Sequence, residues 1–288
     1  MKVLNIFFIV IFLFLTTFFE SCNRNNEISP EENNSLSDYS STIDYGYTVH
    51  NNSGIFNIAN YYVSSQNTKN DSVTITITPS SPDSFPKTIT IDFGDSIMCY
   101  DGIARKGKLI IYLTGKWRLS EIQPQTSMSI EFDDYYVYYP SLNQFVKREG
   151  TLNISYLGRD SINNYPIYVR QSVDSKLIFG DNTSISWEGE HKCTWLEGYN
   201  TPNYNLDNVW KLEGGNHGTN RHGRHFTSMI DSNNPLIFKR GCNGGKIVQG
   251  TITISPDNLP TRIVDFGNGE CDNTITIIIN GNSYTITQ

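Results

Sequence analysis

From about Ile55 to the C-terminus, apolar and polar residues alternate with a period near two. This is the pattern of a β-strand that buries one of its faces. The clearest case is Val73–Thr78, in which isoleucine alternates with threonine, and β-branched residues favour strands. The other segments with this pattern are Thr88–Asp92, Leu109–Leu113, Ser127–Phe132, Thr151–Tyr156, Ile185–Trp187, Val209–Leu212, Leu236–Phe238, Ile247–Ile254, Arg262–Val264, Ile275–Ile279 and Tyr284–Thr287.

Clusters of turn-forming residues separate the predicted strands. They are Pro79–Asp83, Gly158–Asp160, Gly180–Asn182, Gly214–Asn216 and Asn280–Asn282. No window of useful length shows the period of about 3.6 residues that an amphipathic helix requires. The pattern therefore predicts an all-β fold, a long antiparallel meander that forms sandwich-like layers or a curved sheet.

Two stretches of the chain, Pro86–Gly94 and Pro260–Gly267, resemble each other. Both are predicted strands that end in Asp-Phe-Gly, and both follow a Thr/Ile strand and a proline-containing turn. Each is followed by a cysteine, Cys99 or Cys271, and then by another predicted strand. The sequence thus predicts a duplicated β-hairpin unit near each end of the domain.

The positions of the cysteines predict one disulfide. If residues 255–260 form the turn of a hairpin, Cys242 lies almost opposite Cys271 on the partner strand. We therefore expect a Cys242–Cys271 bond, which requires an oxidising compartment. Applied to the hairpin before Cys99, the same reasoning places no cysteine opposite Cys99. Cys99 and Cys193 therefore either pair with each other or remain free thiols.

The N-terminus has the form of a secretion signal. Met1–Phe19 is apolar with Lys2 as its only charge, and Ser21-Cys22 follows closely, as in a bacterial lipobox. This predicts a signal peptide over residues 1–21 and lipidation of Cys22, which would carry diacylglycerol and an N-linked acyl chain. The alternative is an ordinary cleaved signal that leaves Cys22 as a thiol.

The next segment is polar, and the overall charge is acidic. Residues 22–52 are rich in Asn, Ser and Glu, which predicts a flexible tether before an all-β domain over 53–288, with a sub-division near 140–150 left open. With 22 Lys+Arg against 29 Asp+Glu, the net charge is −7. A nucleic-acid-binding protein needs a basic surface, so nucleic acid is not an expected partner.

Aromatic residues are the main candidates for ligand binding. Tyr135–Tyr139 is a dense aromatic cluster, and Trp187 lies in a predicted strand. Core packing is the favoured interpretation of these rings, because aromatic side chains more often pair across strands. The alternative is a glycan-binding or hydrophobic-ligand-binding platform on a concave sheet face, formed by Tyr135, Tyr136, Tyr138 and Trp187.

Other groups of polar residues give only weak indications of a metal site or of catalysis. His217, His222 and His225 lie close together in sequence, and a solvated loop is favoured over a metal site there. In Asp265–Asp272 a structural turn is favoured over a calcium loop. No nucleophile motif surrounds a serine or cysteine, so we expect neither an enzyme nor a cofactor.

The chain resembles a group of uncharacterised predicted lipoproteins common in Bacteroidota. The segments that carry this resemblance are Ile91–Gly94, Cys99, Asp101-Gly102, Arg105–Lys108, Phe132–Val137, Arg148–Gly150, Thr194–Gly198, Thr219–Gly223, Pro235-Leu236, Cys242 and Asp265–Asn273. The resemblance covers about three quarters of the chain, and the Asp-Phe-Gly…Cys-Asp-Asn motif at its end is the most specific part. It implies an envelope lipoprotein and names no activity.

Taken together, the sequence predicts a lipid-anchored protein of the cell envelope, attached to the outer membrane and facing either the periplasm or the surface. Its expected role is that of a non-enzymatic structural or interaction module. The alternative is a surface lipoprotein that binds a glycan or a hydrophobic ligand. The expected partners are the membrane, through the lipid anchor, and a glycan or another envelope protein.

Overall fold

The computed structural model describes residues 38–65, 73–201, 207–242, 245–272 and 274–287. Residues from Asp38 onward pack as one unit. The predicted signal peptide, the lipidated Cys22 and the first part of the predicted tether lie outside the described residues. Near residues 140–150, where a sub-division was left open, the strand that ends at Tyr139 pairs directly with the strand that begins at Gln144 in one sheet.

The described chain forms one α-helix, α1 (Ser40–Ser65), followed by strands and a short 3-10 helix at Pro140–Leu142. The strands are β1 (Thr74–Thr78), β2 (Lys87–Asp92), β3 (Ile97–Met98), β4 (Ala104–Leu113), β5 (Ser127–Tyr139), β6 (Gln144–Arg159), β7 (Pro166–Ile178), β8 (Ser184–Glu197), β9 (Val209–Thr219), β10 (His225–Ile230), β11 (Leu236–Lys239), β12 (Lys246–Pro256), β13 (Arg262–Asn268), β14 (Thr274–Ile279) and β15 (Asn282–Thr287).

All of these strands belong to one antiparallel sheet, which confirms the predicted all-β meander. The order across the sheet is β1-β2-β4-β5-β6-β7-β8-β9-β10-β12-β13-β14-β15, so most strands pair with their neighbours in sequence. The short strands β3 and β11 lie off this path, β3 against β4 and β11 between β9 and β12. Each predicted strand overlaps an observed one, whereas β3, β7 and β10 were not predicted.

The predicted turn at Gly214–Asn216 is wrong, because these residues lie inside β9. Their glycines allow the strand to approach its neighbour unusually closely. A Cβ atom on Gly215 would lie 2.0 Å from the carbonyl oxygen of Ser228 in β10. Glycine at this position therefore permits a close strand contact and does not end the strand.

Helix α1 corrects the prediction that residues 40–52 belong to a flexible tether and that the β domain begins at 53. Among residues 40–64, Ile43 is the only exposed one. Ile58 and Ala59 are fully buried, and so are Asp44 and Thr48. A helix that is buried on nearly every side has no polar face, so the amphipathic period that would have revealed it does not exist.

The inner face of the sheet holds the helix through hydrogen bonds along its whole length. Trp117 Nε1, after β4, donates to Asn60 Oδ1 at 3.0 Å. Asn52 Nδ2 donates to Ser172 Oγ of β7 at 2.9 Å. Nearer the N-terminal end of the helix, Asn220 Nδ2 donates to Ser41 Oγ at 3.0 Å. The sheet therefore curves around α1, and the helix fills its concave face.

The apolar core lies between the helix and this concave face. Phe56 of α1 packs edge-on against Tyr168 of β7 and Trp210 of β9, with ring centroids 5.4 and 5.1 Å apart. Trp195 of β8 stacks on Trp210 at 4.5 Å. Edge-to-face and offset-stacked arrangements are the favoured geometries of aromatic pairs, so these rings hold α1 against the middle of the sheet.

The two Asp-Phe-Gly segments form the same local structure. In each, the aspartate Oδ1 accepts a hydrogen bond from the glycine N–H at 2.9 Å, Asp92 from Gly94 and Asp265 from Gly267. Both glycines have positive φ, +58° and +89°. The phenylalanine between them is buried in each copy. The repeat thus has the same Asp-to-Gly hydrogen bond directly after β2 and within the last residues of β13, and each of these strands pairs with the next long strand.

Candidate functional site

The four aromatic residues predicted as a ligand platform lie on two opposite faces of the sheet. Tyr135 and Trp187 point inward and are 0% and 2% exposed. Tyr136 and Tyr138 alternate with buried residues along β5, so they point outward and are half-buried. The interpretation of these residues as a ligand platform on the concave face is therefore wrong, since α1 already occupies that face.

Trp187 is already engaged in the interior. The guanidinium of Arg148 lies 4.5 Å from the Trp187 ring and 4.7 Å from the Phe132 ring. Arg148 Nη2 also donates to Ser175 Oγ at 2.8 Å. Burial lowers the pKa of Arg148 to about 9. Trp187 therefore contributes to the packing of a buried arginine and is not available to stack on a ligand.

On the outer face, Tyr136 and Tyr138 belong to a small patch with lysines. Lys106 Nζ lies 4.1 Å from the centroid of the Tyr136 ring and 5.2 Å from that of Phe145. The Tyr138 hydroxyl donates to Asn143 Oδ1 at 2.6 Å. These cation–π and hydrogen-bond contacts use the groups that would otherwise hold a sugar ring.

The predicted disulfide is confirmed. Cys242 and Cys271 are bonded, with their Cα atoms 5.3 Å apart. The bond joins the β11–β12 connection to the β13–β14 connection. The question left open for the other pair is answered as well, because Cys99 and Cys193 are both free and buried.

The two free thiols are held in an unreactive form. Burial raises the pKa of Cys99, an effect that the charge of Arg105 partly offsets. Burial likewise raises the pKa of Cys193, whose Sγ accepts a hydrogen bond from Arg170 Nε at 2.8 Å. The thiolate is the nucleophilic form of cysteine, so neither residue is poised for covalent catalysis.

The three histidines lie in the β9–β10 hairpin and are exposed. His217 Nε2 lies 3.8 Å from a carboxylate oxygen of Glu188, and His225 Nδ1 lies 2.9 Å from Thr219 Oγ1. Within the described residues, no three His, Cys, Asp or Glu side chains come together as a metal site. Asp265 in β13 and Asp272 in the loop after β13 each accept a hydrogen bond from a backbone N–H, that of Gly267 and that of Thr274.

A groove of about 540 Å³ lies across β7, β8, β9 and β10. It lies on the outer face, because the exposed side chains that line it alternate along these strands with buried residues. The buried residues Ser175, Trp187 and Phe226 also belong to its lining. Sequence reasoning did not find it, since the residues come from four strands and form no motif. The polar lining residues are Asp174, Lys176, Ser186, Glu188, His217, Thr219, His225, Thr227 and Asp257. Carboxylates, imidazoles and hydroxyls predominate.

A second group of charges is buried beneath the helix. Asp101 accepts two hydrogen bonds from Arg105, from Nη1 and from Nη2, each at 2.7 Å. Arg240 Nη2 lies 3.2 Å from the same carboxylate. These charge-assisted bonds hold the pKa of Asp101 below its usual range, although burial acts in the opposite direction. Arg105 and Arg240 are distant in sequence, so only the fold brings them together.

Comparison with known proteins adds no relationship: no family model, curated protein or solved structure matches this chain. The resemblance to Bacteroidota lipoproteins therefore stays an expectation from sequence. In the part of the chain that the structure describes, no helix has the length and apolar character needed to cross a membrane.

Proposed function

We propose that this protein is a lipid-anchored component of the cell envelope and that residues 38–287 are a non-enzymatic interaction module. The observation that carries the proposal is that the concave face, where a curved sheet would normally hold a ligand, is filled by the chain's own helix α1. Any partner must then be bound on the outer face or at the edges of the sheet.

The buried chemistry supports a non-enzymatic role. The carboxylates of Asp44 and Asp101 are engaged by arginines, and the thiols of Cys99 and Cys193 are protonated by burial. These groups are committed to internal contacts, and a catalytic acid, base or nucleophile must reach a substrate.

The lipid anchor is tested by metabolic labelling of the full chain with an alkyne fatty acid, followed by membrane fractionation. We expect label on the wild-type protein in the membrane fraction. The Cys22→Ser variant should be unlabelled and should leave that fraction. A labelled Cys22→Ser protein, or an unlabelled wild-type protein in the membrane, contradicts the anchor.

The outer groove favours a second candidate function, the binding of a glycan. Its carboxylates, imidazoles and hydroxyls match the hydrogen-bonding groups of a sugar, and its volume of about 540 Å³ suits a small oligosaccharide. Glu188 and His217, whose side chains lie 3.8 Å apart, stand together at its wall.

A glycan array probed with the full chain tests this candidate. Binding that is lost in Glu188→Gln and kept in Glu190→Gln supports the groove, because both residues lie on the outer face of β8 but only Glu188 lines the groove. Equal loss in both variants, or no binding by the folded wild-type protein, argues against a glycan and leaves a protein partner as the proposal.

A further inference from the structure

A small internal cavity of about 20 Å³ lies between α1 and the strands. Tyr135 and Arg105 line it and are 0% and 2% exposed. The Tyr135 hydroxyl lies beside the Arg105 guanidinium, and neither this hydroxyl nor Arg105 Nε donates a hydrogen bond of good geometry to a described residue. Buried donors are nearly always satisfied, so two at one cavity indicate an occupant that accepts hydrogen bonds.

The side chains around this cavity carry more positive than negative charge. Arg105 and Arg240 line it together with a single carboxylate, that of Asp101. Both oxygens of Asp101 are already engaged, Oδ1 by Arg105 and Oδ2 by Arg105 and Arg240. Burial and the charge of Arg240 lower the pKa of His50, which also lines the cavity, to about 4. His50 is therefore neutral near pH 7.

The helix contributes one more group to the cavity wall, the amide of Asn51. Its Nδ2 lies 3.2 Å from the Tyr139 hydroxyl, and its Oδ1 has no partner among the described residues. The oxygen and nitrogen of an amide exchange places by a half-turn of the side chain. In the turned orientation, Tyr139 donates to Oδ1, and Nδ2 takes the place of the unpartnered oxygen as a third donor.

We propose that this cavity binds one halide ion, chloride in the cell, through Arg105 Nε, the Tyr135 hydroxyl and Asn51 Nδ2. The cavity has room for one small particle only, which excludes phosphate, sulfate and carboxylates. Arg105 and Tyr135 belong to the sheet and Asn51 to the helix, so the ion joins α1 to β4 and β5.

The direct test is anomalous diffraction from crystals of the full chain grown with bromide as the only halide. We expect a bromide peak in the cavity, next to Arg105 Nε and the Tyr135 hydroxyl. Density that behaves as an ordered water only, with no anomalous signal, overturns the proposal. This measurement needs no variant and so does not depend on how a variant folds.

A solution test uses the melting temperature of the full chain at constant ionic strength. Replacing methanesulfonate by about 150 mM chloride should raise the wild-type melting temperature by about 2–4 °C. Tyr135→Phe should lose this rise. Tyr45→Phe is the matched control, because it also removes a buried, unpartnered hydroxyl but does not line the cavity, so it should keep the rise.

Equal melting temperatures of the wild-type protein in the two salts overturn the proposal. So does a Tyr135→Phe protein that keeps the full chloride effect.

Discussion

Asp44 of the helix and Arg221 of the β9–β10 turn make a two-point contact. Arg221 Nε donates to Asp44 Oδ1 at 2.8 Å, and the Arg221 backbone N–H donates to Oδ2 at 2.7 Å. Asp44 is fully buried. Burial raises the pKa of Asp44, and the hydrogen bonds and charge of Arg221 counteract that effect. The first turns of the helix are therefore tied to a hairpin far away in the sequence.

Replacing this carboxylate should destabilise the fold. We expect Asp44→Asn to lower the free energy of unfolding by about 2–4 kcal/mol, because it removes one partner of a buried ion pair. Urea denaturation followed by tryptophan fluorescence measures the change. The matched control is Asp134→Asn, an exposed carboxylate 3.6 Å from Lys147, which should cost less than about 1 kcal/mol. Equal costs would contradict the structural role of Asp44.

The aromatic contact between the helix and the sheet should contribute more to the free energy of unfolding than any single polar contact between them. Phe56 is buried and lies against Tyr168 and Trp210. Phe56→Ala should cost about 3–5 kcal/mol, because it removes a large buried side chain and leaves a cavity. Tyr112→Ala, at an exposed position on the outer face of β4, should cost far less. A small effect of Phe56→Ala in thermal or urea unfolding would mean that α1 contributes little to stability.

The Cys242–Cys271 bond should stabilise the folded state by about 2–4 kcal/mol, because it closes a loop across a separation of 29 residues in the unfolded chain. Reductant should lower the melting temperature of the wild-type protein. The same reductant should have no effect on a Cys242→Ser/Cys271→Ser variant, whose melting temperature should match that of the reduced protein. A reductant effect that persists in the variant would point to the other cysteines.

Stability should fall in acid because of a buried histidine. Burial and the charge of Arg170 lower the pKa of His191 to about 3, and the unfolded chain keeps the ordinary value near 6.5. The unfolded state therefore binds a proton first as the pH falls. The stability that His191 contributes is present above pH 6.5 and is lost progressively towards pH 3, at up to about 1.4 kcal/mol per pH unit.

The measurement is urea unfolding of the wild-type protein, His191→Gln and His222→Gln between pH 7 and pH 4. His191→Gln should flatten the pH dependence by about one proton, and His222→Gln is the comparison with a histidine at an exposed position. His50, whose pKa is also lowered, to about 4, should account for part of the remaining slope. Identical slopes in all three proteins would show that His191 is protonated in the folded state.

Local pattern was enough to predict most of the strands, the repeated Asp-Phe-Gly segments and the disulfide. An alternating sequence such as Thr88–Asp92 shows its buried face without reference to any other part of the chain. A hairpin turn relates residues on either side of it by a simple sum, which is why Cys242 could be matched to Cys271. Strand β7 was missed because Arg170 and Ser172 occupy inward positions and interrupt the apolar alternation.

The sequence by itself therefore determined the all-β class, the meander and the Cys242–Cys271 cross-link, because each depends on neighbours in the chain. Only the tertiary structure decided that Ser40–Ser65 is a helix inside the sheet, since its buried Asn, Ser and Thr residues need partners that come from distant strands. The same holds for the outer groove and for the cavity beside Arg105 and Tyr135. Both are formed by residues that meet only when the sheet has curved around the helix.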